Sequence, residues 1–503
     1  MPKIKLPVFL PPAILLVASM LYSLYDPADF LVQVRAANDW ILYHFGWLFS
    51  GGTLVFLLLC VWIYFSPLAK VRIGGKNAQP ILTRWQWFSI TLCTTIAIGI
   101  LFWATAEPLY HLHTPPGGIG VKANSPESAR FAMSTMFLHW TFTPYSIYTI
   151  AGLMFAIAYY NLKQPFSLGS MLFPLIGERK PGAWSHAIDA ICLYSLVAGM
   201  AASLGAGILT VAGGMERFFG LKDSPMLLLL IAMVIVASFI ISAITGLFNG
   251  IRILSNINTY AFFVLALFVL VFGPTRYLFQ YGIEGMGDYA STFFPRSLSL
   301  KVDKSWADSW TVFYWANWLA WTPVTALFLG RVAIGYTVRD FIHYNLILPS
   351  LFSVVWMVIF SGSAIHMDFV AHTANLYGTL QSQGPESVIY GVLDQLPLAE
   401  LTGLSFLATA FLSYVAGADA NTSAMSSLSS SGISPESPEA PVWIKIVWGS
   451  LVGLIAWVMV ANAGIEGIKM ASTLGGFPAL FLVLAVALGL VKILLKPGKY
   501  MLE

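Results

Sequence analysis

Twelve runs of predominantly apolar residues recur along this chain, at roughly 7–25, 46–66, 85–106, 131–160, 186–211, 225–247, 256–279, 308–330, 343–366, 401–424, 442–462 and 470–494. A run of about 20 such residues crosses a bilayer as a helix, because lipid offers no partner to an unpaired peptide group. The expected fold class is therefore all-α integral membrane, with twelve transmembrane helices. Composition agrees. Of 503 residues 58% are hydrophobic and only 10% charged, where soluble domains carry about 25% charged residues. The formal net charge of +3 is too small to suggest nucleic acid. The expected partners are the lipid bilayer and a small solute.

Lys3 and Lys5 precede the first run, but the pattern continues beyond it, so it reads as a retained span rather than a cleaved signal. Lys70, Arg72, Lys76, Arg84, Arg331 and Arg339 flank the ends that face inward if the N-terminus is inside, and the 366–400 loop on the other side has no Lys or Arg. This bias puts both termini in the cytoplasm. Residues 280–305 are expected to include a short interfacial helix, and the Ser/Pro-rich stretch 426–441 to form a cytoplasmic linker. Cys60, Cys93 and Cys192 all lie in apolar runs, with no disulfide framework.

Two aromatic clusters stand inside the spans. FLHWTFTPYSIY (137–148) places Trp140, Tyr145 and Tyr148 around Pro144. On a helix Trp140 and Tyr148 lie about 80° apart and share a face, and a kink at the proline would turn Tyr145 inward. FYWANWLAWTP (313–323) sets Trp315, Trp318 and Trp321 in a stripe, with Asn317 between them. An aromatic cage for a quaternary ammonium would use such faces. An interfacial belt or plain helix packing would use them equally. The third and eighth spans, five apart, both carry helix-disturbing residues, Gly99 and Pro108 in one and Pro323 in the other. Paired interrupted helices point to a binding site between two repeats.

Ionisable residues within the spans are few: Glu107, His139, Asp189 and Asp419. Such groups are functional candidates by default. Glu107, just before Pro108, reads as closing the outer end of its helix, and His139 as a packing histidine. Asp419, among small residues, could bind a proton or a cation, or bond backbone. No catalytic triad, metal-ligand spacing or phosphate-binding loop is present, so neither an enzyme nor a metal site is expected.

Beyond these clusters, ATAEPLY (104–110), GLFNGIRILSNIN (246–258) and the full FYWANWLAWTPVTALFLGRVAIGYTVRDF (313–341) resemble the betaine/choline/carnitine transporter family over essentially all twelve spans. The resemblance implies a secondary transporter of the bacterial inner membrane with the LeuT-like fold, working by alternating access, usually as a homotrimer. Two peripheral helices (1–84) would precede inverted five-helix repeats at 85–280 and 308–503, joined by a loop at 281–307. The substrate would be a betaine-, carnitine- or choline-like solute, held by Trp140, Tyr145, Tyr148 and Trp318, with Trp315, Asn317 and Trp321 alongside. Relatives usually carry Trp where this chain has Tyr145, and a double Trp where it has Asn317–Trp318, so Asn317 is expected to set its substrate apart. No cofactor is implied beyond coupling to Na+ or H+. The hydroxyl residues of sodium-coupled members are replaced by Ala198, Ala202, Ala416 and Gly417, leaving an ion site to Cys93, Ile96, Ser413, Ala416 and Gly417. An ion-independent substrate/product antiporter is the alternative, although Asn258 stands where exchangers carry Arg.

Overall fold

The computed structural model describes residues 4–95, 97–177, 183–222, 224–244, 250–299, 302–433 and 440–496. Among them the chain forms nineteen α-helices. In the first half these are α1 (Leu6–Tyr25), α2 (Pro27–Phe65), α3 (Arg84–Thr95), α4 (Ala97–His113), α5 (Pro126–Trp140), α6 (Phe142–Ala156), α7 (Phe173–Ile176), α8 (Ala183–Phe219), α9 (Pro225–Ile244) and α10 (Gly250–Phe272). The second half adds α11 (Thr275–Ser297), α12 (Lys304–Ala307), α13 (Phe313–Val332), α14 (Val338–Ile342), α15 (Leu348–Ile365), α16 (Leu376–Gln383), α17 (Pro385–Leu393), α18 (Ala399–Leu428) and α19 (Val442–Leu495). β pairing among the described residues is limited to isolated bridges, Ile4 with Ser430 and Arg72 with Thr337. The protein is an all-helical, multi-pass membrane protein.

Nine helical segments among the described residues are long and apolar enough to cross a membrane, or ten if α3 and α4 form one bent span. The twelve-run expectation differs for two physical reasons. First, α19 merges the last two runs into 54 residues. That is about 80 Å of helix, far beyond a hydrocarbon core of about 30 Å, and Gly464 interrupts it with φ 50° and ψ −133°. Second, α13 is not among the nine. Its asparagine, threonines and arginine lower its hydropathy, and nearly every one of its residues is buried. It packs against α6, α8 and α19 rather than facing lipid. By contrast α9 and α10 keep Val234, Ile241, Val264 and Leu267 exposed, as a lipid-facing helix does.

Local breaks shape the centre. The axes of α3 and of Gly99–His113 diverge by 55°. The FLHWTFTPYSIY segment breaks at Thr141 (φ −119°, ψ −119°), three residues before the proline expected to cause the kink. Pro144 instead sits in the first turn of α6, where a missing N–H leaves no bond unmade. Nor does Pro108 end its helix; α4 runs on to His113. The 280–305 stretch is mostly α11. The 426–441 linker begins later than expected, since α18 reaches Leu428, and residues 434–439 lie outside the described set, as does most of the GLFNG turn.

Where α13 meets α19 the backbones almost touch. A Cβ on Gly476 would stand 2.2 Å from the Ala316 carbonyl oxygen, so only glycine allows this crossing. It holds α19 beside Asn317.

Candidate functional site: an aromatic pocket beside a buried carboxylate

Trp318 is the hub of the two aromatic clusters. Its ring centroid lies 6.0 Å from Trp140, 5.4 Å from Tyr145 and 5.0 Å from Tyr148, at interplanar angles of 69°, 60° and 50°. The α5–α6 break at Thr141 makes this convergence, turning residues on both sides of it toward α13. A cavity of about 30 Å³ opens beside these rings, lined by Cys93, Thr94, Thr95, Gly99, Trp140, Tyr148, Ser203, Asn317, Trp318 and Trp321. Its residues come from α3, α4, α5, α6, α8 and α13, so the bent α3–α4 segment and the α13 stripe meet here. Gly99 is required by this closeness, since a Cβ there would lie 2.5 Å from the Trp140 ring.

Polar contacts sort the expected residues further. Trp321 Nε1 donates to Ser203 Oγ at 2.8 Å, and Ser472 Oγ donates to Asn317 Oδ1 at 2.9 Å. The Tyr145 hydroxyl meets Ser353 Oγ at 3.4 Å. Trp318 Nε1 is buried and has no partner. Trp315 stands apart from the cavity lining: it is fully buried with an unpartnered Nε1, its ring edge-on to His139 at 6.0 Å.

The expected ion-site residues meet only in part. Cys93 Sγ contacts the Ser255 carbonyl oxygen at 3.4 Å and Thr259 Oγ1 at 3.5 Å, and Asn258 Nδ2 lies 3.7 Å from the sulfur. The same Asn258 nitrogen donates to Ser413 Oγ at 2.7 Å, so Asn258 joins Cys93 to Ser413. Asn258 Oδ1 and Ser255 Oγ are buried without partners. Ala416 and Gly417 follow one turn later on α18, both buried, and the Gly417 carbonyl accepts from Asn421 Nδ2 at 2.8 Å. Ile96 lies outside the described residues.

The largest departure from the sequence reading is Glu107. It does not cap a helix end; it is fully buried within α4 and gathers four donors. His139 Nδ1 and His111 Nε2 approach Oε1 at 2.7 and 3.1 Å, while Trp140 Nε1 and the Tyr314 hydroxyl approach Oε2 at 2.7 and 2.5 Å. His139 Nε2 in turn meets Thr311 Oγ1 at 3.0 Å. Ligand-type atoms of Glu107, His111 and His139 lie within 4.8 Å of one another, and the hydrogen bonds to Oε1 account for that closeness. The available sequence signal was the i, i+4 spacing of Glu107 and His111, which puts both on one helix face.

Nearby, a cavity of about 640 Å³ opens between α2, the start of α13 and α19, with Asp303, Asp308, Glu466 and Lys469 in its lining. The Ser305 hydroxyl, donating at 2.6 Å, holds the Asp303 carboxyl below the usual carboxylate range. Lys469 Nζ stands 4.6 Å over the Trp310 ring. Asp189 and Asp419 are bonded internally: Asp189 Oδ1 accepts from Ser167 Oγ and Leu168 N, at 2.9 and 2.8 Å, and Asp419 Oδ2 from Ser242 Oγ at 2.5 Å.

Apolar helices thus enclose an aromatic pocket, and the few ionisable groups within them are hydrogen-bonded internally. Residues 7–499 match the family described as betaine/carnitine/choline family transporter, and the chain belongs to it. It is similar to glycine betaine transporter 1 of Vibrio parahaemolyticus serotype O3:K6 (30% identity, covering 90% of this chain and 86% of that protein). It is also similar to the ectoine/hydroxyectoine transporter of Virgibacillus pantothenticus (30%; 91% and 90%) and to the high-affinity choline transport protein of Escherichia coli K12 (29%; 90% and 67%). This protein is therefore a multi-pass bacterial membrane transporter and not an enzyme.

Proposed function

We propose that this transporter moves a betaine-, carnitine- or choline-like quaternary ammonium, or a related zwitterion, across the inner membrane by alternating access. Trp318 carries this reading: three aromatic rings surround it, and its buried N–H has no partner. Ring faces attract a cation that cannot be hydrogen-bonded, and a free indole N–H suits the carboxylate or hydroxyl of such a solute. Trp140, Tyr145 and Tyr148 complete the cage, Trp321 and Asn317 line it, and Trp315 supports it from behind. The relatives named for glycine betaine, choline and ectoine favour the same substrate classes.

In this reading α1 and α2 (within 1–84) are peripheral, and residues 85–280 and 308–503 form two inverted LeuT-like repeats joined through 281–307. Twelve spans then require the bent α3–α4 pair and α13 each to cross once and α19 to cross twice. Both termini are cytoplasmic, and the working form is a homotrimer. Coupling runs to Na+ or H+ through the Cys93–Asn258–Ser413 cluster, with Ala416 and Gly417 one turn further along α18. The second reading is ion-independent substrate/product exchange. It is favoured by the buried Ala198, Ala202 and Ala416, which offer no side-chain oxygen to a hard cation.

Trp318→Leu tests the cage. Losing a desolvated cation–π contact of about 2 kcal/mol should raise KM for betaine or choline more than about tenfold; unchanged transport of both would remove Trp318 from the site. Proteoliposomes decide coupling, since uptake that needs a sodium or proton gradient and no internal substrate excludes obligatory exchange.

A further inference from the structure

We propose that Glu107 is a charge-supplying positioning residue for the cage: its carboxylate, hydrogen-bonded to the Trp140 indole N–H, makes the pocket select a cation over an uncharged group of the same shape. The inference rests on the cage reading above.

The hydrogen-bond pattern suits an ionised carboxylate. An indole nitrogen only donates, so Glu107 Oε2 accepts from Trp140. The short Tyr314 contact falls on the same oxygen, and both imidazoles place a nitrogen within hydrogen-bond reach of Oε1. Four groups able to donate thus surround two oxygens. His139 Nε2 meets Thr311 Oγ1, and His111 Nδ1 is buried with no partner. In the proposal both imidazoles are the neutral tautomers that donate to Glu107, and the cluster carries one negative charge.

The cations in the neighbourhood hydrogen-bond other groups, although Lys469 also acts on Glu107 through space. Arg296 on α11 bonds Ser134, Thr135 and Asp288. Lys469 on α19 pairs with Glu466 at 3.7 Å. Among the described residues no Lys or Arg hydrogen-bonds Glu107. A buried, singly charged group is costly unless hydrogen bonds offset it, and here it persists one bond away from an aromatic wall of the pocket.

Two effects then favour a positive guest. The carboxylate's field reaches the cavity with little solvent screening. Its charge-assisted bond to Nε1 also polarises the indole, as hydrogen bonds in a low-dielectric chain reinforce one another. That enriches the Trp140 face that lines the pocket. A neutral tert-butyl group would fill the same space and gain neither effect.

The test compares matched probes: glycine betaine against 3,3-dimethylbutanoate, and choline against 3,3-dimethylbutan-1-ol, by titration calorimetry on the full-length purified transporter. Glu107→Gln should weaken binding of the trimethylammonium member of each pair about tenfold relative to its tert-butyl isostere; the carboxylate tail is common to glycine betaine and 3,3-dimethylbutanoate and cancels in their ratio, so the ammonium-to-tert-butyl ratio collapses in both pairs. Trp140→Phe keeps an aromatic face but loses the N–H, and should lose the same ratio; the double variant should add little, because both changes cut one interaction. If Glu107→Gln does not fold, Glu107→Met, uncharged and of similar volume, gives the same comparison, because Trp140→Phe also changes the ring that faces the cation. Equal losses for ammonium and tert-butyl probes, or an unchanged ratio, overturn the proposal. Trp318→Leu reports on the cage separately. Loss of binding there with the ratio intact in Glu107→Gln sinks the Glu107 assignment alone, whereas a wild-type protein that prefers neither ammonium probe sinks both.

Discussion

Ser472 on α19 donates its hydroxyl to Asn317 Oδ1 at 2.9 Å, one residue from Trp318, where the two aromatic clusters meet. The same hydroxyl lies 2.9 Å from the Ile468 carbonyl oxygen, so it keeps an acceptor if Asn317 is removed. Asn317 therefore holds two roles, a tie between α13 and α19 and a polar point in the pocket lining. Asn317→Ala should leave the fold nearly as stable, with a net loss of about 1 kcal/mol for the hydrogen bond. It should change discrimination among substrates that differ only in their polar tail. Inhibition constants for choline, glycine betaine and tetramethylammonium check this. A uniform change across all three would assign Asn317 to packing alone.

Gly99 and Trp140 are matched by contact. A methyl at position 99 would meet the indole at 2.5 Å, and overpacking of this kind costs about 1–3 kcal/mol. Gly99→Ala should raise KM by about tenfold or more as Trp140 shifts, in radiotracer uptake corrected for the amount of transporter in the membrane. Retained wild-type KM would mean that Trp140 has room to move without loss of function.

Asp189 ties α8 to the short turn at Leu168–Leu172, accepting from Ser167 Oγ, Leu168 N and, at 3.3 Å, Gly169 N. Asp189→Ala leaves these donors without their acceptor, at about 1–3 kcal/mol for a buried group so stranded. The melting temperature in detergent should fall, while Asp189→Asn, which retains one acceptor oxygen, should fall less. Equal melting of both variants and wild type would contradict a structural role for this carboxylate.

The Cys93–Asn258–Ser413 cluster makes a prediction about ions. Asn258 Oδ1 and Ser255 Oγ are oxygens without partners, which is the ligand type sodium prefers. If sodium drives uptake, Asn258→Leu should raise the sodium concentration for half-maximal transport about tenfold, leaving counterflow of preloaded substrate largely intact. An unchanged sodium dependence would place coupling elsewhere.

Much of the helical membrane class was legible in the sequence because apolar runs have one solution in lipid. The two aromatic clusters were visible as local patterns, but that Trp318 meets Trp140, Tyr145 and Tyr148 came from the family resemblance and not from helical spacing. What the sequence hid were contacts between distant elements. Trp315 belongs to the same stripe as Trp318 and Trp321, yet it points to His139, because α13 is surrounded by protein and buries residues all round. Glu107 looked like a helix end beside its proline; only folding brings Trp140, His139 and Tyr314 to its two oxygens. The break at Thr141 was placed at Pro144, since the ring's cost depends on where in a turn it falls.

The cavity beside Trp318 measures about 30 Å³, room for one or two water molecules at about 10–15 Å³ of such space each. No trimethylammonium group fits that space with its neighbours at rest. Loading must therefore move some of the six helices that line the cavity apart before the rings can close on a guest, and the free energy of that opening is subtracted from whatever the rings supply. Measured affinity would then report the ease of opening as much as the quality of the cage. Substitutions that ease this opening without altering the lining residues would tighten binding without touching the substrate.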